Sequence, residues 1–332
     1  MDSEYNSTMS NQGGKRRQSR QKISKKSKSA TSTNEAAKWI EETIKMRKCS
    51  HYIPSGDNED CQCGYQKQDH AKINPPNQEE KSSKTMAQWN CLQHTRTQPT
   101  NAFGNIEFVD VYQRDNIERK FVRVDIQTKM SKMLKLMEMW GMEQPNLLIS
   151  VTGGEEDFIR NPMLKDSFQR GLMKAVHSLG AWIITGGTHT GVIKYVGEAV
   201  RSDTNSKPVV AIGIAPWGVI HNREYLECKK ELFEPARYHM KGNLNSNERF
   251  LDPSHSHFFL VDDGTQHKFE TEIPFRDRLE KKISKVKIDK GDVPVVMLVV
   301  GGGRSTLKMV ECALQRDTHA VIVKVYKQLD CT

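Results

Sequence analysis

The hydrophobic positions of this chain form short apolar runs that alternate with longer segments of helical spacing. The runs predict strands at 147–151, 182–184, 209–215, 257–262, 295–300 and 320–325. The intervening segments predict helices at 163–179, 189–201, 274–287 and 305–315. Strands that are apolar on both faces and separated by helices indicate an α/β, Rossmann-like, doubly wound sheet. That sheet is mostly parallel, with helices on both faces.

Upstream of these runs the pattern is less regular. Two further strands are predicted at 106–112 and 120–124, followed by a helix at 128–140, and one short helix at 35–48. Residues 71–100 are polar and predict an exposed connection. We therefore divide the chain into a disordered basic tail (1–34), a small irregular subregion (35–100), a nucleotide-binding α/β domain (101–325) and a C-terminal end (326–332).

The net charge of +9 is concentrated in the tail. Residues 1–34 carry eight Lys or Arg and two acidic residues, 8 − 2 = +6, with few apolar groups. The tail has the charge to attract acidic lipid weakly, but we favour a solvated terminus, and no aromatic interleaving indicates specific nucleic-acid binding. The longest apolar run, 293–300, is too short to span a bilayer, and no signal peptide is evident. We expect a cytosolic polypeptide.

The subregion contains cysteines and histidines that raise the possibility of zinc. They are Cys49, His51, Cys61, Cys63 and His70. Their spacing is irregular, Cys-x-Cys replaces the usual Cys-x-x-Cys, and no second pair follows. We therefore favour cysteines packed beneath a loop and assign no metal.

Five glycine-containing loops follow predicted strands, at 152–154, 185–191, 216–218, 262–265 and 301–303. Glycine permits close approach of the backbone to a phosphate, and a strand–glycine–helix unit directs free N–H groups at an anion. Glycine in any single loop is also explained by a tight turn. Because all five belong to one edge of the predicted sheet, we favour a phosphate-bearing ligand there.

Several side chains are candidates for that edge. The cations that suit a phosphate are His221, Arg223, Arg276 and Arg278, although either helix arginine is equally suited to pair with Asp277 or Glu280. Trp217 suits base stacking or the core, and Asp263 suits a ribose hydroxyl or a turn. No convincing nucleophile is present, so we predict no enzymatic activity and no catalytic cofactor.

The motifs PNLLISVTGG, GAWIITGGTHTGV and SHSHFFLVDDGT closely resemble the N-terminal cytosolic region of melastatin-type transient receptor potential (TRPM) cation channels. The resemblance implies a Rossmann-like SLOG domain and a tetramer with other TRPM subunits on the cytoplasmic side of the cell membrane. It also implies ADP-ribose or a related nucleotide as ligand. The residues that it and the turn chemistry assign to the ligand are Thr152, Gly153, Gly186, Gly187, Thr188, Arg223, Asp263, Arg276, Arg278, Gly302 and Gly303.

Two alternatives to a channel sensor remain. SLOG phosphoribohydrolases carry a catalytic Glu in the loop that aligns with 302–306, but Met309 occupies that position here and Glu311 lies two residues beyond it. The chain also lacks the family's membrane helices, and 324–332 replaces an expected small-residue loop. A stand-alone soluble regulator or a purely structural scaffold is the second alternative.

Overall fold

A computed structural model describes the protein at residues 35–56, 60–70, 88–109, 111, 118–154, 162–205, 207–228, 234–289 and 291–323. The predicted tail, 1–34, and the predicted C-terminal end lie outside these ranges. In chain order the helices are α1 (35–43), α2 (Lys67–His70), α3 (Cys91–His94), α4 (Met130–Met139), α5 (Pro162–Leu179), α6 (Gly191–Ser202), α7 (Ile273–Ser284) and α8 (Arg304–Leu314).

The strands are β1 (Lys45–Cys49), β2 (Thr95–Pro99), β3 (Phe103–Phe108), β4 (Arg119–Asp125), β5 (Leu147–Gly153), β6 (Ala181–Thr185), β7 (Ala211–Pro216), β8 (Ala236–Tyr238), β9 (His257–Asp262), β10 (Lys287–Ile288), β11 (Gly291–Asp292), β12 (Val295–Val300) and β13 (His319–Val323). Nine of them form one sheet in the order β13-β12-β5-β6-β7-β9-β4-β3-β8. The seven from β13 to β4 are parallel, and β3 pairs antiparallel with β4.

Helices cover both faces of the sheet, as the doubly apolar strands predict. On one face α5 and α6 pack through Leu172, Val176 and Val196 against β5 and β6. On the other face α4 and α7 pack through Leu136 and Leu279 against the central strands. Strands β5, β6, β7 and β9 are each almost wholly buried, which explains why their sequences are apolar at successive positions.

The predicted α/β alternation is confirmed, with three corrections upstream and in the insertion. The helix predicted at 35–48 ends at residue 43, and the chain continues as β1. Within the predicted exposed connection, 95–99 form β2, which pairs with β1. The loop-rich insertion before Arg249 contributes β8, which extends the sheet beside β3. These strands are short, and side chains outside their own segment stabilise them, so local periodicity did not reveal them.

The small subregion packs against the carboxyl ends of β4 and β9. The backbone N–H of Arg47 in β1 donates to Asp262 Oδ2 at 3.1 Å, and its side chain pairs with Asp125 at 2.5 Å. Among the described residues, no helix is both long enough and apolar enough to cross a membrane.

Candidate functional site

The carboxyl ends of the parallel strands lie at one edge of the sheet, and the five glycine-containing loops follow β5, β6, β7, β9 and β12 there. The chain leaves β5 toward β6 on one side, whereas it leaves β12 toward β13 on the other. The boundary between β5 and β12 is therefore the switch point at which α/β proteins bind ligands.

The backbones of β5 and β12 approach closely at this switch point. Gly153 lies opposite Val300, and a Cβ added to Gly153 would stand 2.2 Å from the Val300 carbonyl oxygen. The Gly154 N–H donates to the same oxygen at 3.1 Å. Only glycine fits at 153, so the sequence here is fixed by the joining of the two strands and not by a turn alone.

Two helix N-termini converge on these glycines from opposite faces of the sheet. The Val192 N–H in α6 donates to the Gly154 oxygen at 3.2 Å, and the Thr306 hydroxyl in α8 donates to the Gly153 oxygen at 3.3 Å. Among the residues that the structure describes, which leave out 155–161 directly after Gly154, neither helix has a side-chain cap at its N-terminus. First-turn N–H groups lack intrahelical partners and carry the positive end of the helix dipole, so this point of the edge favours an anion.

The β12 loop is the exposed wall of the switch point. Gly301, Gly302 and Gly303 are all exposed. Gly302 has a φ of +121°, and a Cβ there would lie 2.4 Å from the Thr306 hydroxyl. The conformation therefore requires glycine and leaves the first turn of α8 open to solvent.

A carboxylate of the protein lies at the α8 N-terminus. Glu270, from the loop after β9, accepts a hydrogen bond from Ser305 Oγ at 2.6 Å and pairs with Lys308 Nζ. The hydrogen bonds from Lys308 and Ser305 hold the pKa of Glu270 below its usual value. An anionic group is thus already stable at the position where the helix dipole favours one.

The loop after β6 is held by a buried polar network. Thr185 Oγ accepts the Gly187 N–H at 2.9 Å and lies 2.7 Å from His255 Nε2. His255 Nδ1 lies 3.0 Å from Asp252, whose other oxygen is 2.7 Å from His189 Nδ1. Because Thr185 and His255 are fully buried, this Thr–His–Asp arrangement positions the glycine loop and does not present a nucleophile.

Two residues of the β6 loop that were predicted to bind the ligand, Gly187 and Thr188, already form hydrogen bonds within the protein. The Gly187 carbonyl accepts the Asp252 N–H at 2.9 Å, and the Thr188 hydroxyl lies 3.2 Å from that of Thr190. Gly186 directly precedes them and is half-buried. On β5, the Thr152 hydroxyl contacts Met309 Sδ at 3.3 Å.

Arg276 lies beneath the edge. Its Nη2 donates to Ser150 Oγ at 2.9 Å and to the carbonyls of Val151 and Ile184, and its Nε donates to Glu280 at 2.9 Å. Burial opposes ionisation of Glu280, but Arg276, Ser150 and Arg316 outweigh it and lower its pKa. This buried arginine ties the ends of β5 and β6 together, so the structure places it below the predicted ligand surface.

The remaining predicted residues lie toward the other end of the edge. Arg223 Nη1 donates to the Gly218 carbonyl at 3.1 Å, and Arg278 donates to the carbonyl of Ile126, just after β4. Asp263 accepts both the N–H and the hydroxyl of Thr265, at 2.9 and 2.6 Å, as a turn residue does. Trp217 is buried with the Arg123 guanidinium 4.3 Å from its ring centre, which places it in the core.

The predicted site residues therefore separate into two groups along one edge. Thr152, Gly153, Gly186, Gly187, Thr188, Gly302 and Gly303 gather at the ends of β12, β5 and β6, while Arg223, Asp263 and Arg278 lie at β7, β9 and β4. At a strand spacing of about 4.8 Å, β5 and β9 are roughly 14 Å apart. Sequence reasoning missed Glu270, Ser305 and Lys308, although the helix that begins directly after 301–303 was a signal for the last two.

Comparison with known proteins identifies relatives. The family model for the eukaryotic LSDAT domain, described as SLOG in TRPM, matches residues 119–326. The chain is 42% identical over 303 residues to "Transient receptor potential cation channel subfamily M member 2" of Mus musculus, covering 86% of this chain and 20% of that protein. It is 39% identical over 300 residues to "Transient receptor potential cation channel subfamily M member-like 2" of Nematostella vectensis, covering 86% and 19%.

A more distant relative is similar over the same share of this chain. "Transient receptor potential cation channel subfamily M member 4" of Rattus norvegicus is 35% identical over 299 residues, covering 86% of this chain and 24% of that protein. The chain thus spans between 19% and 24% of the length of these relatives.

Proposed function

Because the chain belongs to the SLOG family of TRPM proteins, we propose that it is the cytosolic ligand-sensing and assembly region of a calcium-permeable TRPM-type cation channel. Its ligand is ADP-ribose or a related nucleotide. The diphosphate binds at the β5/β12 switch point, and the partners of the chain are the other subunits of a tetrameric channel.

One observation carries the ligand proposal: the N-termini of α6 and α8, whose N-cap residues Thr190 and Gly303 make no side-chain cap, meet at Gly153 and Gly154. Two helix dipoles of the same sign at one point favour a multiply charged anion over a neutral ligand. The exposed 301–303 loop allows a phosphate to approach the backbone, and Lys308, which pairs with Glu270 in this structure, lies beside it.

The distance to the second group of residues suits an extended nucleotide. A diphosphate at β5 leaves roughly 14 Å to the end of β9, where Asp263 lies, and Arg223 follows the intervening strand β7. An adenosine or ribose group extending that way would pass over the β6 loop. Ligand binding then favours one arrangement of the domain and biases gating through packed neighbours, as any differential affinity does.

The same geometry argues against phosphoribohydrolase activity. The thioether of Met309 contacts Thr152 at the edge, where the alignment of the 302–306 loop requires a carboxylate. Glu311 is exposed on α8, two positions away along the helix. A general acid or base must lie within hydrogen-bond reach of the reacting atom, and no carboxylate replaces the missing one on this part of α8 as described.

Isothermal titration of the purified chain with ADP-ribose tests the proposal. We expect saturable binding of one ligand per chain that weakens as salt is raised, because the contact is electrostatic. Ribose without phosphate is the control and should give no heat. Absence of both heat and thermal shift at millimolar ADP-ribose would reject the sensor role and leave a structural scaffold.

A further inference from the structure

Three cysteines and one histidine of the small subregion converge on one point. Cys49, Cys61, Cys63 and His70 are all buried, and one ligand atom from each lies within 4.8 Å of every other. The four are separate from the β5/β12 switch point and take no part in the proposed nucleotide site. His51, which the sequence also offered, bonds Ser50 Oγ through its ring at 3.0 Å, and His70 completes the group.

The spacing of the ligand atoms fits a tetrahedral zinc ion. With Zn–S of about 2.3 Å and Zn–N of about 2.0–2.1 Å, tetrahedral geometry places S···N at about 3.6 Å and S···S at about 3.8 Å. The Cys63 Sγ–His70 Nε2 distance is 3.4 Å. The remaining separations stay within the 4.8 Å limit, so small rotations of the side chains suffice to close the polyhedron.

The surrounding hydrogen bonds orient these groups as metal ligands. His70 Nδ1 lies 2.9 Å from the Gln66 carbonyl, which can only accept, so the proton is on Nδ1 and the Nε2 lone pair faces the sulfurs. The Trp89 indole N–H donates to Cys49 Sγ at 3.3 Å, and the Ile53 N–H donates to Cys61 Sγ at 3.4 Å. Donors aimed at sulfur favour the thiolate form that a metal requires.

We propose that Cys49, Cys61, Cys63 and His70 bind one Zn²⁺ as a closed structural site. Three thiolates and one imidazole are the soft donor set that selects zinc over magnesium or calcium. Four protein ligands leave no open position for a substrate, and zinc binding releases the thiol protons. A disulfide would use only two of the three sulfurs and would not explain why the His70 imidazole is oriented toward them.

The site would fasten the subregion to the sheet edge. The Gln266 N–H, in the loop after β9, donates to the Cys63 carbonyl at 2.8 Å, and Lys268 Nζ donates to the Gln62 carbonyl at 2.7 Å. A Cβ on Gly64 would stand 2.3 Å from the Gln266 oxygen, so the ligand loop and the β9 loop are in direct contact. Zinc therefore orders the segment that covers the β9/β4 end of the edge.

Metal analysis of the full chain tests this directly. After expression in zinc-supplemented medium and exhaustive desalting, we expect about one zinc per chain by plasma mass spectrometry. Replacement by Co²⁺ should give the thiolate charge-transfer and ligand-field bands of a tetrahedral cobalt site, a readout that needs no variant. Absence of bound zinc, or a disulfide among the three cysteines in the protein purified under reducing conditions, would overturn the proposal.

Variants assign the ligands. Cys63→Ser and His70→Ala should each lose most of the bound zinc, whereas Cys228→Ser, an exposed cysteine outside the cluster, should retain it. If a ligand variant does not fold, the cobalt spectrum of the unaltered chain still decides. Full retention of zinc by folded Cys63→Ser would also overturn the assignment.

Discussion

The two ends of the sheet edge are built from similar strand–loop units but differ in what occupies them. At the β9/β4 end, the chain's own side chains fill the space: Asp262 accepts from Arg123 at 2.7 Å, from the Arg47 N–H and from the Gly264 N–H. At the β5/β12 end, glycines 301–303 are exposed, and within the described part of the chain no side chain caps the N-termini of α6 and α8. We call the β9/β4 end the closed end, because protein groups bond one another there. We call the β5/β12 end the open end, because its backbone donors are available to a ligand.

The difference shows that glycine and acidic residues after a strand do not by themselves define a ligand site. Asp262 and Asp263 lie at the end of β9, as ligand-binding acids often lie at the end of a strand. Asp262 is bonded to Arg123 and to backbone N–H groups, and Asp263 to the N–H and hydroxyl of Thr265. What distinguishes the β5/β12 end is the exposed 301–303 loop and the meeting of two helix N-termini, those of α6 and α8, at Gly153 and Gly154.

The largest expected effect is on the closed end. Arg123→Met removes the partner of a fully buried carboxylate and should lower the free energy of unfolding by about 3–5 kcal/mol. Lys287→Met, at the exposed Lys287–Asp292 pair, is the control and should change it by less than about 1 kcal/mol. Urea denaturation measures both. Equal effects would mean that the closed end is not held by this ion pair.

The next effect falls on the open end. Gly153→Ala forces a methyl group against the Val300 carbonyl, so stability should fall by about 1–3 kcal/mol. ADP-ribose affinity should fall roughly tenfold, equivalent to ~1.4 kcal/mol of binding free energy, because the methyl group displaces the backbone at which the diphosphate is proposed to bind. Gly171→Ala, at an exposed position of α5 with open space for the added methyl group, should bind ADP-ribose normally. Its free energy of unfolding should rise by up to about 1 kcal/mol. Normal binding by Gly153→Ala would move the site elsewhere.

A titrating group near the N-terminus of α7 gives a pH test. Burial raises the pKa of Glu272 to about 7, and its Oε2 has no hydrogen-bond partner among the residues that the structure describes. A carboxyl whose folded pKa is raised stabilises the fold at low pH, and that stability is lost as pH rises through about 7. We expect a loss of about 1–2 kcal/mol between pH ~5 and ~8 that Glu272→Gln abolishes. An unchanged pH profile in Glu272→Gln would show that this carboxyl is not the source.

The smallest effect concerns the internal carboxylate of the open end. Glu270→Gln removes a negative charge beside the α8 N-terminus and frees Lys308, so ADP-ribose should bind roughly two- to fivefold more tightly. Glu311→Gln, exposed on the same helix, is the matched charge control and should bind as the unaltered chain does. Weaker binding by Glu270→Gln would indicate that Glu270 supports the ligand instead of competing with it.

The sequence predicted the α/β alternation well because each long element carries its own periodicity. Strands His257–Asp262 and Val295–Val300 lie at their predicted bounds. It predicted neither β1 nor β2, because a two-stranded pairing without strong alternation is stabilised by contacts with Asp262 and Asp125, far away in the chain. Tertiary contact outweighed local preference there.

The sequence predicted that the five glycine-containing loops lie at one edge of the sheet. It did not predict the side-chain contacts within that edge. The ion pairs that occupy Arg276 and the network around His255 depend on residues brought together from separate elements, which spacing does not reveal. The convergence of His70 with three cysteines likewise required the fold, because the irregular spacing matched no familiar zinc pattern. Whether the glycines, Arg223 and Arg278 contact a nucleotide stays a prediction.

Hydrogen exchange with and without saturating ADP-ribose compares the two ends in a single measurement. We predict the strongest new amide protection in 301–307 and 186–193, at the helix N-termini that flank Gly153, and weaker protection in 262–266, toward which the rest of the nucleotide extends. Protection confined to 217–228 and 262–266, with none in the 301–307 loop and helix turn, would contradict it.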